Sequence, residues 1–393
     1  MINSLWLLLL PVAATAGFLL AYVKRRGHHR EATKNVSKNY LQGLNYLLNE
    51  EPDKAVDVFV NMLQIDSDTL ETHLALGNLF RRRGEVNRAI RIHQNLIDRP
   101  SLTKKERGEA LFSLACDYLS AGVLDRAEGL FLELVALKIH STASLRCLLD
   151  IYQQEKEWHK AIEVAQKLEH EAKISMQKEI AHYYCELAEI LMDEGSRDQA
   201  YKYLKKALST DQYCVRASLL LGSLEYVSGR HKHAVRLYKQ VREQGPDFLS
   251  EAVVPLAEAY QALGEDEALE FFIRKTMKNF PDTPIVLLLS EKIRGWRGDK
   301  EAAQFVFDYV REHPSVSGLY HLVDLYIGLR EGRAKQDLLL MRRLLEKLMT
   351  EQPHYQCAAC GFTSKSINWL CPSCKRWGTT KSAHLCEVSH SIA

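Results

Sequence analysis

Hydrophobic and polar positions divide the chain into three stretches with different periods. From Ile2 to Val23, about 22 residues pass without a charge (INSLWLLLLPVAATAGFLLAYV). At about 1.5 Å per residue, a helix of that length spans the roughly 30 Å hydrocarbon layer of a bilayer. Pro11 is tolerable in a membrane helix. Lys24-Arg25-Arg26-Gly27-His28-His29-Arg30 follows directly. A cleavable signal peptide would carry its charge ahead of the apolar run, so the pattern predicts a permanent anchor. The expectation is a transmembrane helix over 1–23 and a basic juxtamembrane linker over 24–35. The positive-inside rule then puts the N-terminus outside and the rest in the cytoplasm.

The middle stretch shows no strand-like alternation and few prolines, and internal repeats explain it. A small residue is followed three positions on by an aromatic or large apolar one, then by a glycine four later and a small residue five beyond. Gly77, Phe80, Gly84 and Ala89 set the frame, and Ala115, Tyr118, Gly122 and Ala127 repeat it. Ala188, Leu191, Gly195 and Ala200 give another copy. Gly222, Gly229 and Ala234 continue it with Glu225 in the aromatic slot, and Ala257, Tyr260, Gly264 and Leu269 follow. Gly43, Tyr46 and Ala55 begin the series; Gly298 and Ala303 are its last clear trace. The period of about 34 residues resembles the tetratricopeptide repeat, a helix-turn-helix whose small residues let paired helices approach closely. An all-α solenoid of about eight units over 36–350, with a degenerate ninth from Leu319 to Met349, is the implied architecture.

The last stretch, 351–393, loses the helical period and gains cysteine. Cys357-Ala-Ala-Cys360 and Cys371-Pro-Ser-Cys374 can each form a knuckle presenting two thiolates, and two knuckles complete a closed tetrahedral four-sulfur site. Gly361 relieves crowding after the first knuckle, and Pro372 stiffens the second. About forty residues are too few for a self-sufficient core, so metal binding is expected to make this fold. Iron and zinc both suit such ligands. The paired knuckles resemble a rubredoxin-type or zinc-ribbon module. Tyr355, Phe362, Trp369 and Trp377 are expected to wrap the metal. The apolar Leu345 and Leu348 at the end of the repeats offer the module a docking place, as part of a C-terminal cap.

Net charge is +2, which gives no field for nucleic acid. Nine cysteines fit no complete disulfide framework and suit a reducing compartment. Cys116, Cys147, Cys185 and Cys214 fall in helical patterns as small buried hydrophobes, and Cys386 reads as a free thiol. No phosphate loop, GxSxG or HExxH frame occurs, so an enzyme is not expected. His93, His182 and His231 read as ordinary helix residues. Helix spacing puts Asn78 and Arg81 on one face of one unit, and Arg216 and Tyr226 on the corresponding face of another. These four are the partner-contact candidates.

An uncleaved anchor, a tetratricopeptide solenoid and a terminal CxxCGF…WLCPSCKRW module together resemble the lipopolysaccharide assembly protein B (LapB) family of Gram-negative bacteria. LGNLFRRRGEVNRAIRIHQNL and AHYYCELA are similar to segments of that family. The resemblance implies a single-pass inner-membrane adaptor that limits lipopolysaccharide synthesis. It does so by helping the membrane AAA protease FtsH degrade UDP-3-O-acyl-N-acetylglucosamine deacetylase, the enzyme committing precursors to lipid A. The family also gathers lipopolysaccharide assembly enzymes at the membrane. Its four metal ligands carry over onto Cys357, Cys360, Cys371 and Cys374, with iron favoured by the rubredoxin label and zinc chemically open. Oligomeric state stays open. Two other classes are a redox or electron-transfer protein using the four-cysteine centre and a general chaperone-binding adaptor. The latter's clamp looks incomplete, because the unit after Asn78 and Arg81 offers Phe112, Cys116 and Leu119.

Overall fold

The computed structural model describes residues 70–100, 102–350 and 354–383, with isolated helical positions at Gln42, Asn45, Tyr46, Lys54 and Val58. The expected anchor (1–23), the linker (24–35), Gly43 and Ala55 of the first repeat copy, and Cys386 lie outside the described residues. Among the described residues, no helix is long and apolar enough to cross a membrane. The chain forms two compact units divided after Lys156.

The first unit contains α1 (Leu70–Arg82), α2 (Val86–Ile97), α3 (Lys104–Ser120), α4 (Leu124–Leu137) and α5 (Ser141–Glu155). The small-residue slot has a direct packing reason at Gly77. A Cβ there would come within 2.3 Å of the His93 ring on α2. The glycine slot four residues after the aromatic has a backbone reason. Gly84 and Gly122 adopt φ of 79° and 73° in the turns between helices, a region that strains any side chain. Thr103 and Glu106 start α3 with a reciprocal capping box. Inside the unit, the fully buried Asp117 carboxylate accepts from Arg81 at 2.8 Å and meets His93 Nδ1 at 2.5 Å. A buried charge needs such partners, because isolating it costs several kcal/mol.

The second unit contains α6 (Trp158–Ala172), α7 (Gln177–Asp193), α8 (Arg197–Thr210), α9 (Val215–Val227) and α10 (His231–Gln244). A short 3-10 turn (Pro246–Phe248) leads into α11 (Leu249–Leu263), and α12 (Asp266–Met277), α13 (Thr283–Arg297), α14 (Asp299–Glu312), α15 (Val316–Leu329) and α16 (Gly332–Thr350) complete the helices. Gly222 repeats the logic of Gly77, since a Cβ would meet the Tyr238 ring at 2.5 Å. α5 and α6 occupy an interval in which the repeat frame shows no copy. Lys156, not glycine, takes the left-handed position at the end of α5, with φ 59°.

Three short strands end the described chain: β1 (Tyr355–Cys357), β2 (Thr363–Ser364) and β3 (Thr380–Ser382). They form an antiparallel sheet in the order β2-β1-β3, with Tyr355 opposite both Ser364 and Ser382. This module belongs to the second unit. Its Ile367 and Trp369 pack against the helical core that runs from Val215 to Leu325.

Candidate metal centre

β1 delivers Cys357 to the first knuckle, and an isolated bridge between Leu370 and Trp377 brackets the second. Each knuckle closes through the same backbone bond: Gly361 N donates to Cys357 O, and Lys375 N donates to Cys371 O, both at 2.9 Å. The residue following each CxxC is left-handed, with φ 77° at Gly361 and 56° at Lys375. Folding thereby brings all four predicted ligands together. The sulfurs of Cys357, Cys360, Cys371 and Cys374 lie within 4.8 Å of one another. Two edges of the cluster measure 3.8 Å (Cys357–Cys374) and 3.7 Å (Cys360–Cys371).

These distances test the fit of a metal. A tetrahedron with metal–sulfur bonds of about 2.3 Å has sulfur–sulfur edges of about 3.8 Å. The donor set is all sulfur, which suits iron or zinc. Burial raises the Cys357 thiol, but the Thr379 hydroxyl at 3.2 Å and the N–H groups of Ala359 and Cys360 more than offset this, bringing it to about 6. Donors aimed at sulfur stabilise the thiolate a metal requires. The bound ion would cross-link two knuckles that otherwise share little more than a sheet of three short strands.

Three of the four aromatic residues, Trp377, Trp369 and Tyr355, reach the repeat helices. Trp377 leaves the module and inserts among repeat helices. Its ring stacks on His182 of α7 at 4.9 Å and 20°, and meets Trp158 of α6 and Tyr183 of α7 edge-on. Trp369 stacks on Phe248 at 5.5 Å. Tyr355 donates its hydroxyl to Glu251 at 2.7 Å, and Lys381 pairs with Asp247. The seat is therefore the face shared by α6, α7, α9 and the start of α11. The expected docking at Leu345 and Leu348 is not found. Leu348 stands 53 % exposed on α16, alongside the exposed Leu340, Met341 and Leu344. The physical reason is aromatic area: two tryptophans find a preformed aromatic surface in mid-repeat, whereas the final helix presents only aliphatic tips.

The partner-contact candidates fare differently from the metal ligands. Arg216 is 4 % exposed, bound to Glu186 and Glu189 at 2.8 and 2.6 Å, with its guanidinium over the Trp377 ring. Its use as an open groove contact is thus replaced by a contact with the chain's own module. Arg81 is engaged by Asp117 and Ser113, and Asn78 accepts from Arg81 at 2.8 Å. Tyr226 lies against His231. Sequence reasoning missed His182 and Trp158 as seat residues. Neither carries a spacing signal, because the seat is assembled from residues far apart in the chain.

His182 gives the seat a pH dependence. Burial, then the nearby charges of Arg216 and Lys178, lower its imidazole from about 6.5 to about 3. The folded seat holds it neutral, while an exposed imidazole binds a proton. Its contribution is therefore complete above about pH 6.5 and declines as pH falls toward 3, by about 2 kcal/mol at pH 5. Replacing His182 with Phe should flatten the loss of module protection from hydrogen exchange between pH 7 and 5. An equal loss in both proteins would assign it to other groups.

Comparison with known proteins agrees with this architecture. The family profile described as rubredoxin metal binding domain matches residues 355–381. Two tetratricopeptide repeat profiles match residues 72–107 and 191–252. Lipopolysaccharide assembly protein B of Escherichia coli K12 is 37 % identical over 379 residues, covering 96 % of this chain and 97 % of the relative. The Haemophilus influenzae protein of the same name is 35 % identical over 390 residues, covering 96 % and 98 %. Identity at that level over 96 % of the chain means that it belongs to the lipopolysaccharide assembly protein B family.

Proposed function

We propose that this protein is a non-catalytic adaptor in lipopolysaccharide assembly, held at the bacterial inner membrane by residues 1–23, with its repeats on the cytoplasmic side. The observation that carries this reading is the seating of the four-thiol module on the repeat helices. A site with four protein ligands keeps no open position for substrate, so its metal serves structure. The module and the face of α6, α7, α9 and α11 then make one composite surface, suited to holding protein partners. The relatives' name supports lipopolysaccharide assembly as the process. Within it, the partners we assign are the protease FtsH and the deacetylase committing precursors to lipid A. Membrane tethering raises their effective concentration near the adaptor without any added contact.

The reading is tested by crosslinking in native membranes of a Gram-negative host. The full chain should capture the protease and the deacetylase, and a chain lacking residues 1–23 should fold but lose both capture and control of lipopolysaccharide level. Full control by the freely diffusing truncation would overturn the tether. Capture of neither protein by the full chain would overturn the adaptor assignment.

A further inference from the structure

Two cysteines outside the metal centre form a pair that the repeats bring together from 29 residues apart. Cys185, in the middle of α7, and Cys214, immediately before α9, place their sulfurs 3.9 Å from each other. Their surroundings differ. Cys185 is fully buried in the core of α7–α9, with Ala181, Ala188 and Leu221. Cys214 instead lines a cavity of about 250 Å³ with Lys178, His182, Tyr213 and Gln244, which Trp369 and Gly378 of the metal module also line. Two buried polar atoms of this cavity's lining residues have no hydrogen-bond partner among the described residues: Nδ1 of His182, which is 4 % exposed, and Oε1 of Gln244. The Gln244 amide is fixed by its N–H bond to Gln212 O at 2.7 Å. Buried polar atoms without partners are costly, and a small molecule that both donates and accepts through O–H groups can partner either.

We propose that Cys214 and Cys185 form a dithiol site that reacts with hydrogen peroxide admitted to this cavity. Cys214 is the attacking sulfur. At Cys214 the neighbouring Cys185 thiol, together with the Ala217 N–H at the start of α9, outweighs burial and favours the thiolate, whereas at Cys185 burial pushes the thiol up. The Cys214 sulfur attacks one peroxide oxygen and the O–O bond breaks. The departing hydroxide takes the thiol proton and leaves as water, with a sulfenic acid on Cys214. The Cys185 sulfur then displaces that hydroxyl from the Cys214 sulfur, and its own proton completes a second water. The two thiols lose two electrons to one peroxide. The sulfurs must close from 3.9 Å to about 2 Å, which draws α7 and α9 together beneath Trp377.

The test uses the full chain in detergent with its metal bound, treated with hydrogen peroxide and digested without reduction for mass spectrometry. Cys116 and Cys147, each half-buried and hydrogen-bonded to each other, serve within the same molecule as a reference thiol pair that lacks this cavity. A Cys185–Cys214 linked peptide reversible by dithiothreitol is expected, forming at least about tenfold faster than oxidation at either reference thiol. Cys185→Ser should leave a sulfenic acid on Cys214 that dimedone traps, and Cys214→Ser should leave none on Cys185. The proposal is overturned if the reference cysteines or the four metal ligands oxidise first in the unsubstituted chain. It is overturned equally if Cys185 oxidises unaided in the Cys214→Ser protein. The comparison of thiols in the unsubstituted chain stands whether or not the variants fold.

Discussion

Replacing Cys357 with serine is expected to release the metal, unfold residues 354–383 and expose a specific part of the repeats. The described module has strands of three, two and three residues and few buried apolar side chains of its own. Its stability therefore comes from the metal, for which apparent binding energies of about 10–16 kcal/mol are typical of small structural sites. Cys357 is 1 % exposed, so the serine also leaves a hydroxyl facing three thiols in a closed setting. Once the module unfolds, Trp377 and Trp369 leave their seat. Amide exchange should then quicken around Tyr183 in α7, Arg216 in α9 and Phe248 before α11. The solenoid is held by contacts between neighbouring helices, so most helicity should persist. Exchange in α15 and α16 should stay unchanged, because those helices do not carry the module. Hydrogen-exchange mass spectrometry distinguishes the outcomes. Faster exchange in α15 and α16 with none at α7 would restore the terminal cap as the docking site.

Replacing Trp377 with alanine should undock the module while leaving its metal in place. The side chain is 4 % exposed and meets Trp158, His182 and Tyr183, with the Arg216 guanidinium 6.0 Å from its ring centre. Truncating a buried tryptophan costs about 3–5 kcal/mol, which lowers the ratio of docked to free module by roughly two to four powers of ten. Arg216 keeps its two glutamates, so the loss is one of packing and not of an abandoned charge. Trp377 follows the last ligand by three residues and is not itself a ligand, and its ring contacts are with α6, α7 and α9. Metal content should thus remain at one ion per chain, while exchange at α7 and α9 rises as it does in the cysteine variant. Metal loss in Trp377→Ala would mean that seating and chelation form a single cooperative unit. Trp377→Phe should retain most of the docking.

The two substitutions separate what each part of the molecule contributes. One removes the bond that makes the module; the other removes the anchor that places it. If the composite surface is what partners recognise, both should reduce partner capture, although only the first changes metal content.

The metal ligands and the repeats were legible because both obey short-range rules. A CxxC knuckle is closed by bonds within six residues, so spacing alone brought Cys357 to Cys360 and Cys371 to Cys374. Glycine marked the turns because Gly84, Gly195 and Gly229 hold φ near 80°, which favours a residue without Cβ. That signal fails where Lys156 adopts the same conformation, and α5 and α6 carry no glycine mark for that reason. The docking site obeys no period. Tyr355 reaches Glu251 across 104 positions and Lys381 reaches Asp247 across 134, so no local spacing encodes them. Tryptophan beside a metal knuckle suits a shell around the metal and an anchor into a neighbour equally well. The same holds for Arg216, which a helix face alone marks as a contact but cannot assign to the chain's own Trp377. Sequence by itself determined the repeats and the four sulfurs, because each is fixed by backbone geometry within a turn or two. Only the tertiary structure decided what the repeat face holds, because burial of aromatic area is non-directional and is settled by which distant surfaces fit together.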